Sequence, residues 1–133
     1  IKIKRYYFHG LNKIKKLSIS NNRISTVEIN SFRSLINLIE LDLSYNFLFR
    51  LESNLFEYNL KIQNLNLDAN VISKIHKNTF KNLKELTDLC LNNNNLNQLD
   101  ENLFSGLISL KKLSLRNNFI FSIHMNCFKA NTK

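Results

Sequence analysis

The chain has 133 residues, 44% apolar and 22% charged, which excludes a disordered polymer and suffices for one domain with a core. No run of about 18 apolar residues is present, so the sequence holds no membrane-spanning helix and no membrane insertion is expected of it. The net charge of +9, from 19 basic against 10 acidic residues, favours an acidic partner without naming one.

The chain opens on Ile1 without a signal-peptide pattern, as a fragment or processed piece would. Two cysteines, Cys90 and Cys127, are too few for a disulfide framework, and no bridge between them is expected. Pro is absent and Gly occurs only twice, so Asn must make most of the turns.

Residues 1–10 read as the tail of a preceding unit, because Phe8-His9-Gly10-Leu11 echoes Phe104-Ser105-Gly106-Leu107. Five units follow at about 11–34, 35–58, 59–82, 83–106 and 107–133, together a single domain. The first two carry Ile14-Leu17-Ile19-Asn22-Ile24 and Leu38-Leu41-Leu43-Asn46-Leu48. The third and fourth carry Ile62-Leu65-Leu67-Asn70-Ile72 and Leu86-Leu89-Leu91-Asn94-Leu96, and the fifth Leu110-Leu113-Leu115-Asn118-Ile120. The period is 24 residues throughout.

In each L-x-L the side chains alternate, so Leu41 and Leu43 are predicted to point inward and Glu40 and Asp42 outward from a short strand. One such strand cannot bury its apolar face alone; stacked copies make a parallel sheet with strands about 4.8 Å apart. The ladder Asn22, Asn46, Asn70, Asn94 and Asn118 is predicted to satisfy loop backbone as the chain leaves the sheet. A second column, Asn30, Asn54, Asn78, Asn102 and Asn126, is read as turn formers with a short helical turn per unit.

One column slips. Leu11, Leu35, Leu83 and Leu107 share a position filled by Asn59 in the third unit, with Leu60 beside it. A local shift that swings Leu60 inward is expected, since an unpaired buried amide costs roughly 1–3 kcal/mol.

The pattern is the motif of the leucine-rich repeat family. Through Val27/Phe32, Leu51/Phe56, Ile75/Phe80, Leu99/Phe104 and Ile123/Phe128 the chain resembles the 24-residue typical subclass, as in ectodomain repeats of Toll-like receptors and Slit-type proteins. The resemblance covers essentially the whole chain. It implies a leucine-rich repeat solenoid of the α/β class, a right-handed coil. A curved parallel β-sheet would line the concave face, with turns and short helical segments on the convex face, as part of a longer repeat array.

The resemblance also makes the outward sheet residues the candidate partner surface. They are Lys16 and Ser18, then Glu40, Asp42, Ser44 and Tyr45, then Asn64, Asn66 and Asp68, then Asp88, Cys90 and Asn92, and last Lys112, Ser114 and Arg116. This face is acidic in the middle and basic at its ends. A second candidate is an edge strip of Phe47, Val71 and Phe119, either exposed as a protein contact or folded back over the core.

Catalytic signals are lacking. His76 and His124 lie two units apart, too far to share one zinc, and Cys90 has no His on its face to act as a base. Glu40, Asp42, Asp68 and Asp88 read as a solvated acidic patch, and there is no phosphate loop or nucleophile elbow. No cofactor, no metal and no enzymatic activity are expected, and scattered lysines beside an acidic sheet argue against nucleic acid.

The resemblance implies a protein-binding segment of an extracellular or cell-surface receptor or adhesion protein, engaging a protein ligand or co-receptor in signal transduction such as innate immunity. The alternatives are an intracellular (cytoplasmic) scaffold or regulator and a structural spacer. Cysteine-rich caps and N-x-Ser/Thr sequons are lacking, and uncapped ends are expected to self-associate.

Overall fold

The computed structural model describes residues 1–129. Eleven short strands lie among them. In chain order they are β1 (Lys2–Ile3), β2 (Lys16–Ser18), β3 (Thr26–Val27), β4 (Glu40–Asp42), β5 (Arg50–Leu51) and β6 (Asn64–Asn66). Then come β7 (Lys74–Ile75), β8 (Asp88–Cys90), β9 (Gln98–Leu99), β10 (Lys112–Ser114) and β11 (Ser122–Ile123).

Strands β2, β4, β6, β8 and β10 form one parallel sheet in sequence order. Its register advances by one repeat per strand, aligning Leu17, Leu41, Leu65, Leu89 and Leu113. The result is a parallel β-solenoid of about five turns. Leu41, Leu65 and Leu89 are buried beneath the sheet, with Leu43, Leu67 and Leu91 behind them.

From Asn46 onward the Asn ladder couples each coil to the one before it. Asn70 Nδ2 donates to the carbonyls of Leu43 (3.1 Å), Leu67 (3.2 Å) and Asp68 (3.3 Å), while its Oδ1 accepts the N–H of Leu48 at 3.0 Å. Asn46, Asn94 and Asn118 repeat the pattern. Asn22 is exposed and donates only within its own loop, to Ile19 and Ser20.

The opposite side is held by six stacked rings, Phe8, Phe32, Phe56, Phe80, Phe104 and Phe128, with centroids 5.5–6.4 Å apart. Offset contact at this spacing adds to the apolar area each ring buries.

The expected convex helical turns are not there: the described residues contain no helix. The convex chain instead closes separate three-residue hydrogen bonds, such as Ser31 N–H to Glu28, Arg33 to Asn30 and Leu35 to Phe32. Asn30, Asn54 and Asn102 sit at φ 67°, 55° and 58°, and a left-handed residue stops a right-handed helix before it nucleates. At Asn78 and Asn126 the backbone N–H donates instead to Nδ1 of His76 and His124.

A second set of strands, which the repeat pattern did not suggest, pairs in twos: β1 with β3, β5 with β7, β9 with β11. The buried column Ser31, Leu55, Thr79, Leu103, Cys127 tracks this alternation. Ser31 Oγ donates to the Ile3 carbonyl, and Thr79 Oγ1 to those of Leu51 and Glu52. Leu55 and Leu103 have no hydroxyl to make that link, and there the neighbouring strands are unpaired.

At the slipped column the expected shift does not occur. Asn59 itself is buried, 1% exposed, and its Nδ2 donates to the carbonyls of Phe32 (2.8 Å) and Leu35 (3.1 Å). Its Oδ1 has no partner, and Leu60 points outward at 52% exposure. Two available carbonyls make burial of the amide affordable, so the strict period is kept.

Each chain exit from the concave sheet runs through a left-handed residue: Asn21, Tyr45, Ala69, Asn93 and Asn117, with φ of 51–55°. Asn tolerates this conformation; Tyr45 and Ala69 hold it at a cost of about 1–2 kcal/mol each. Ala69→Gly is therefore expected to raise stability by about 0.5–1 kcal/mol and Ala69→Val to lower it, measured by urea denaturation. By the same measurement Asn70→Ala loses about 3 kcal/mol or more, because it strands a buried N–H and several carbonyls, whereas Asn22→Ala loses about 1 kcal/mol or less.

Candidate binding surface

The concave sheet presents its outward residues in rows. Lys16, Glu40, Asn64, Asp88 and Lys112 form one row, and Ser18, Asp42, Asn66, Cys90 and Ser114 the next. A shallow groove of about 480 Å³ runs along the first four strands, lined by Lys16, Ser18, Glu40, Asp42, Asn64, Asn66, Asp88 and Cys90 over the leucines. Lys112, Ser114 and Arg116 continue the face beyond it, and Asp68, Asn92 and Tyr45 lie where the strands end.

These side chains are not equally available. Asp42 Oδ1 accepts the backbone N–H of Ser44 at 3.0 Å and its hydroxyl at 2.7 Å, and Asp42 Oδ2 accepts Ser18 Oγ at 3.3 Å. Partial burial alone would raise its pKa, but the hydrogen bonds from Ser44, Ser18 and Ser20 outweigh burial and hold the carboxyl below its usual value. Ser44 shares the face of Asp42 and, covered by this bond, is buried and not available to a partner.

Asp68 accepts the Asn92 N–H at 2.7 Å and its side-chain amide at 3.2 Å; Asn92 Oδ1 in turn accepts the Arg116 N–H at 2.8 Å. Asn66 Oδ1 accepts the Asp68 N–H at 3.0 Å. Asp42, Asp68 and Asn92 therefore tie neighbouring coils together and Asn66 closes the end of its own strand, roles the sequence reading missed. Lys16 and Glu40 form an exposed ion pair at 2.8 Å, and such a pair contributes little stability. Among the described residues Asp88 accepts a hydrogen bond only from its neighbour Thr87 Oγ1, at 2.7 Å. Asn64 and Asp88 are thus the residues of the groove least committed to the fold.

Along the edge where the chain leaves the sheet, Phe47 and Val71 are exposed in adjacent repeats and do not fold back over the core. Tyr45 (60% exposed) and Phe49 extend the patch, and the Arg50 guanidinium lies 5.4 Å from the Phe49 ring centre. Phe119 is also exposed, but Asn95 separates it from Val71, so the strip is interrupted. Tyr45, Phe47, Phe49 and Val71 are thus exposed within two adjacent coils.

Cys90 and Cys127 are both free. Burial, then Asp68, raises the Cys90 pKa, and burial, then Asp100, pushes Cys127 up to about 11. Neither is an activated thiolate. Among the described residues no three His, Cys, Asp or Glu side chains are grouped to hold a metal ion.

A family model described as BspA type leucine rich repeat region matches residues 1–133 in six copies. The chain belongs to the leucine-rich repeat family. No curated protein matches it. This leucine-rich repeat chain shares its fold with a chain of the Toll–Spatzle complex of Drosophila, at 22% identity and TM-score 0.84 over 92% of its length. It is similar to the APL1 leucine-rich repeat domain at 21% identity and TM-score 0.88 over 97%, and to a chain of the TLR13–ssRNA13 complex at 24% and 0.75 over 98%. It spans 17%, 34% and 22% of those chains respectively.

The raised thiol of Cys127 gives a pH prediction. An unfolded thiol ionises near its ordinary value of 9.0 and the folded one near 11, so the unfolded state loses its proton first and stability falls as pH rises through that window. Comparing urea midpoints of wild type and Cys127→Ala between about pH 8 and 11 should show a steeper decline in the wild type.

Proposed function

We propose that the chain is a protein-recognition module, the ligand-binding segment of an extracellular or cell-surface receptor or adhesion protein. The observation that carries this reading is the juxtaposition of two surfaces. A concave groove holds the uncommitted Asn64 and Asp88, and its edge carries the exposed Tyr45, Phe47 and Val71. Rigid aromatic side chains beside a polar groove are the composition of protein-binding hot spots.

Likeness of fold to Toll and TLR13 chains supports a receptor setting and, with it, reception of a protein ligand or co-receptor in innate-immune signalling. Glu40, Asp42, Asp68 and Asp88 along the face select a partner with basic groups at its centre and disfavour a polyanion such as RNA. The chemistry is recognition, with no catalytic step assigned.

The test is a screen of the immobilised chain against a library of secreted and ectodomain proteins, followed by two variants. Asn64→Lys with Asp88→Lys, and Tyr45→Ser with Phe47→Ser, should each weaken a captured partner about tenfold or more while the melting transition is kept. Partners that bind both variants as tightly as wild type would remove the concave face and its edge from the account.

A further inference from the structure

The loops that lead into the concave strands lie at the opposite end of those strands from Tyr45 and Phe47. They carry Ile36, Leu60 and Ile108, each about half exposed. Around them stand Lys13, Lys15, Lys61, Lys84 and Lys111, against one carboxylate, Glu85. Among the described residues none of these five lysines has a carboxylate within ion-pair distance. Lys61 donates to a neutral acceptor, Asn37 Oδ1, at 2.7 Å, and its charge is left uncompensated.

The order Asn59–Leu60 adds an independent observation. Leu35, Leu83 and Leu107 fill the same column completely buried. A leucine at 59 and an asparagine at 60 would do the same and leave a polar residue outside. The chain has the reverse: a buried amide whose Oδ1 has no partner, and a leucine exposed on the lysine-rich flank. Both positions lose stability by this order, and what is gained is an outward aliphatic side chain between Lys61 and Lys84. A local rule broken at a cost marks a position used for something other than folding.

The residue types select the partner. This flank, the residues 11–15, 35–39, 59–63, 83–87 and 107–111, has no aromatic residue and no arginine. Protein interfaces are rich in both and poor in lysine. Lysines interleaved with aliphatic side chains suit an anionic lipid surface, where ammonium groups meet phosphates and the aliphatic ends enter the boundary between headgroups and acyl chains. We propose that this flank docks the solenoid on an anionic phospholipid bilayer. The protein lies on the surface without crossing it, and the edge bearing Tyr45 and Phe47 faces away from the lipid.

The experiment is sedimentation of the whole chain with phosphatidylcholine vesicles, with and without phosphatidylglycerol. Binding is expected only with phosphatidylglycerol, weakening as salt rises. Lys61→Ser with Lys84→Ser should weaken it roughly 25-fold, about fivefold per lysine, while the charge-matched control Arg23→Ser with Lys74→Ser leaves it nearly unchanged. The exchange Asn59→Leu with Leu60→Asn should melt at higher temperature yet bind several-fold more weakly, which separates docking from folding. No binding to phosphatidylglycerol vesicles, or an equal loss in the control pair, overturns the proposal. So does binding to soluble polyglutamate as tight as to vesicles and indifferent to the 59/60 exchange, which would make the flank a site for acidic proteins.

Discussion

Every coil of this protein turns sharply out of a sheet while its backbone is still buried, and the polar groups at that turn must find partners without water. The Asn ladder solves this with one side chain per coil. Its amide reaches carbonyls in its own loop and in the coil before, and its oxygen takes the N–H that the preceding coil leaves over. The spacing of the ladder, the register of the sheet and the stacking of the Phe rings are then all fixed together. A coil displaced by one residue would bury unpaired groups and turn its leucines to solvent.

The same economy explains which polar residues on the sheet face belong to the structure. Asp42, Asn66, Asp68 and Asn92 are outward-facing, but each accepts a backbone N–H at the end of a strand. A carboxylate or amide there is part of the fold even where it lines the groove. What remains for recognition is a smaller set, Asn64 and Asp88 within the groove and the aromatic edge beside it. The charge divides as well: the concave face holds Glu40, Asp42, Asp68 and Asp88, while lysines dominate the loops leading into it.

Strict periodicity also shows where the chain departs from it. Tyr45 keeps a left-handed backbone that asparagine occupies in three of the five equivalent positions. Leu60 is exposed where an inward leucine was available at no cost to the pattern. These two exceptions lie at opposite ends of the concave strands, so the coil offers two chemically distinct edges, one aromatic and one aliphatic and cationic.

The repeat length, the inward leucines, the Asn ladder and the Phe column were legible in the sequence, because each rests on a period that any single coil must obey. The outward rows followed from strand alternation, but alternation does not tell which outward residues stay accessible: Ser44, bonded to Asp42, is buried. The pairing of the second strands in twos and the burial of Asn59 were decided by tertiary structure. They depend on contacts between neighbouring coils, such as Thr79 with Leu51 or Asn59 with Phe32, that are more than one full period apart in the chain. A sequence read one repeat at a time specifies what each coil must bury; how adjacent coils satisfy one another's backbone is settled only when they are stacked.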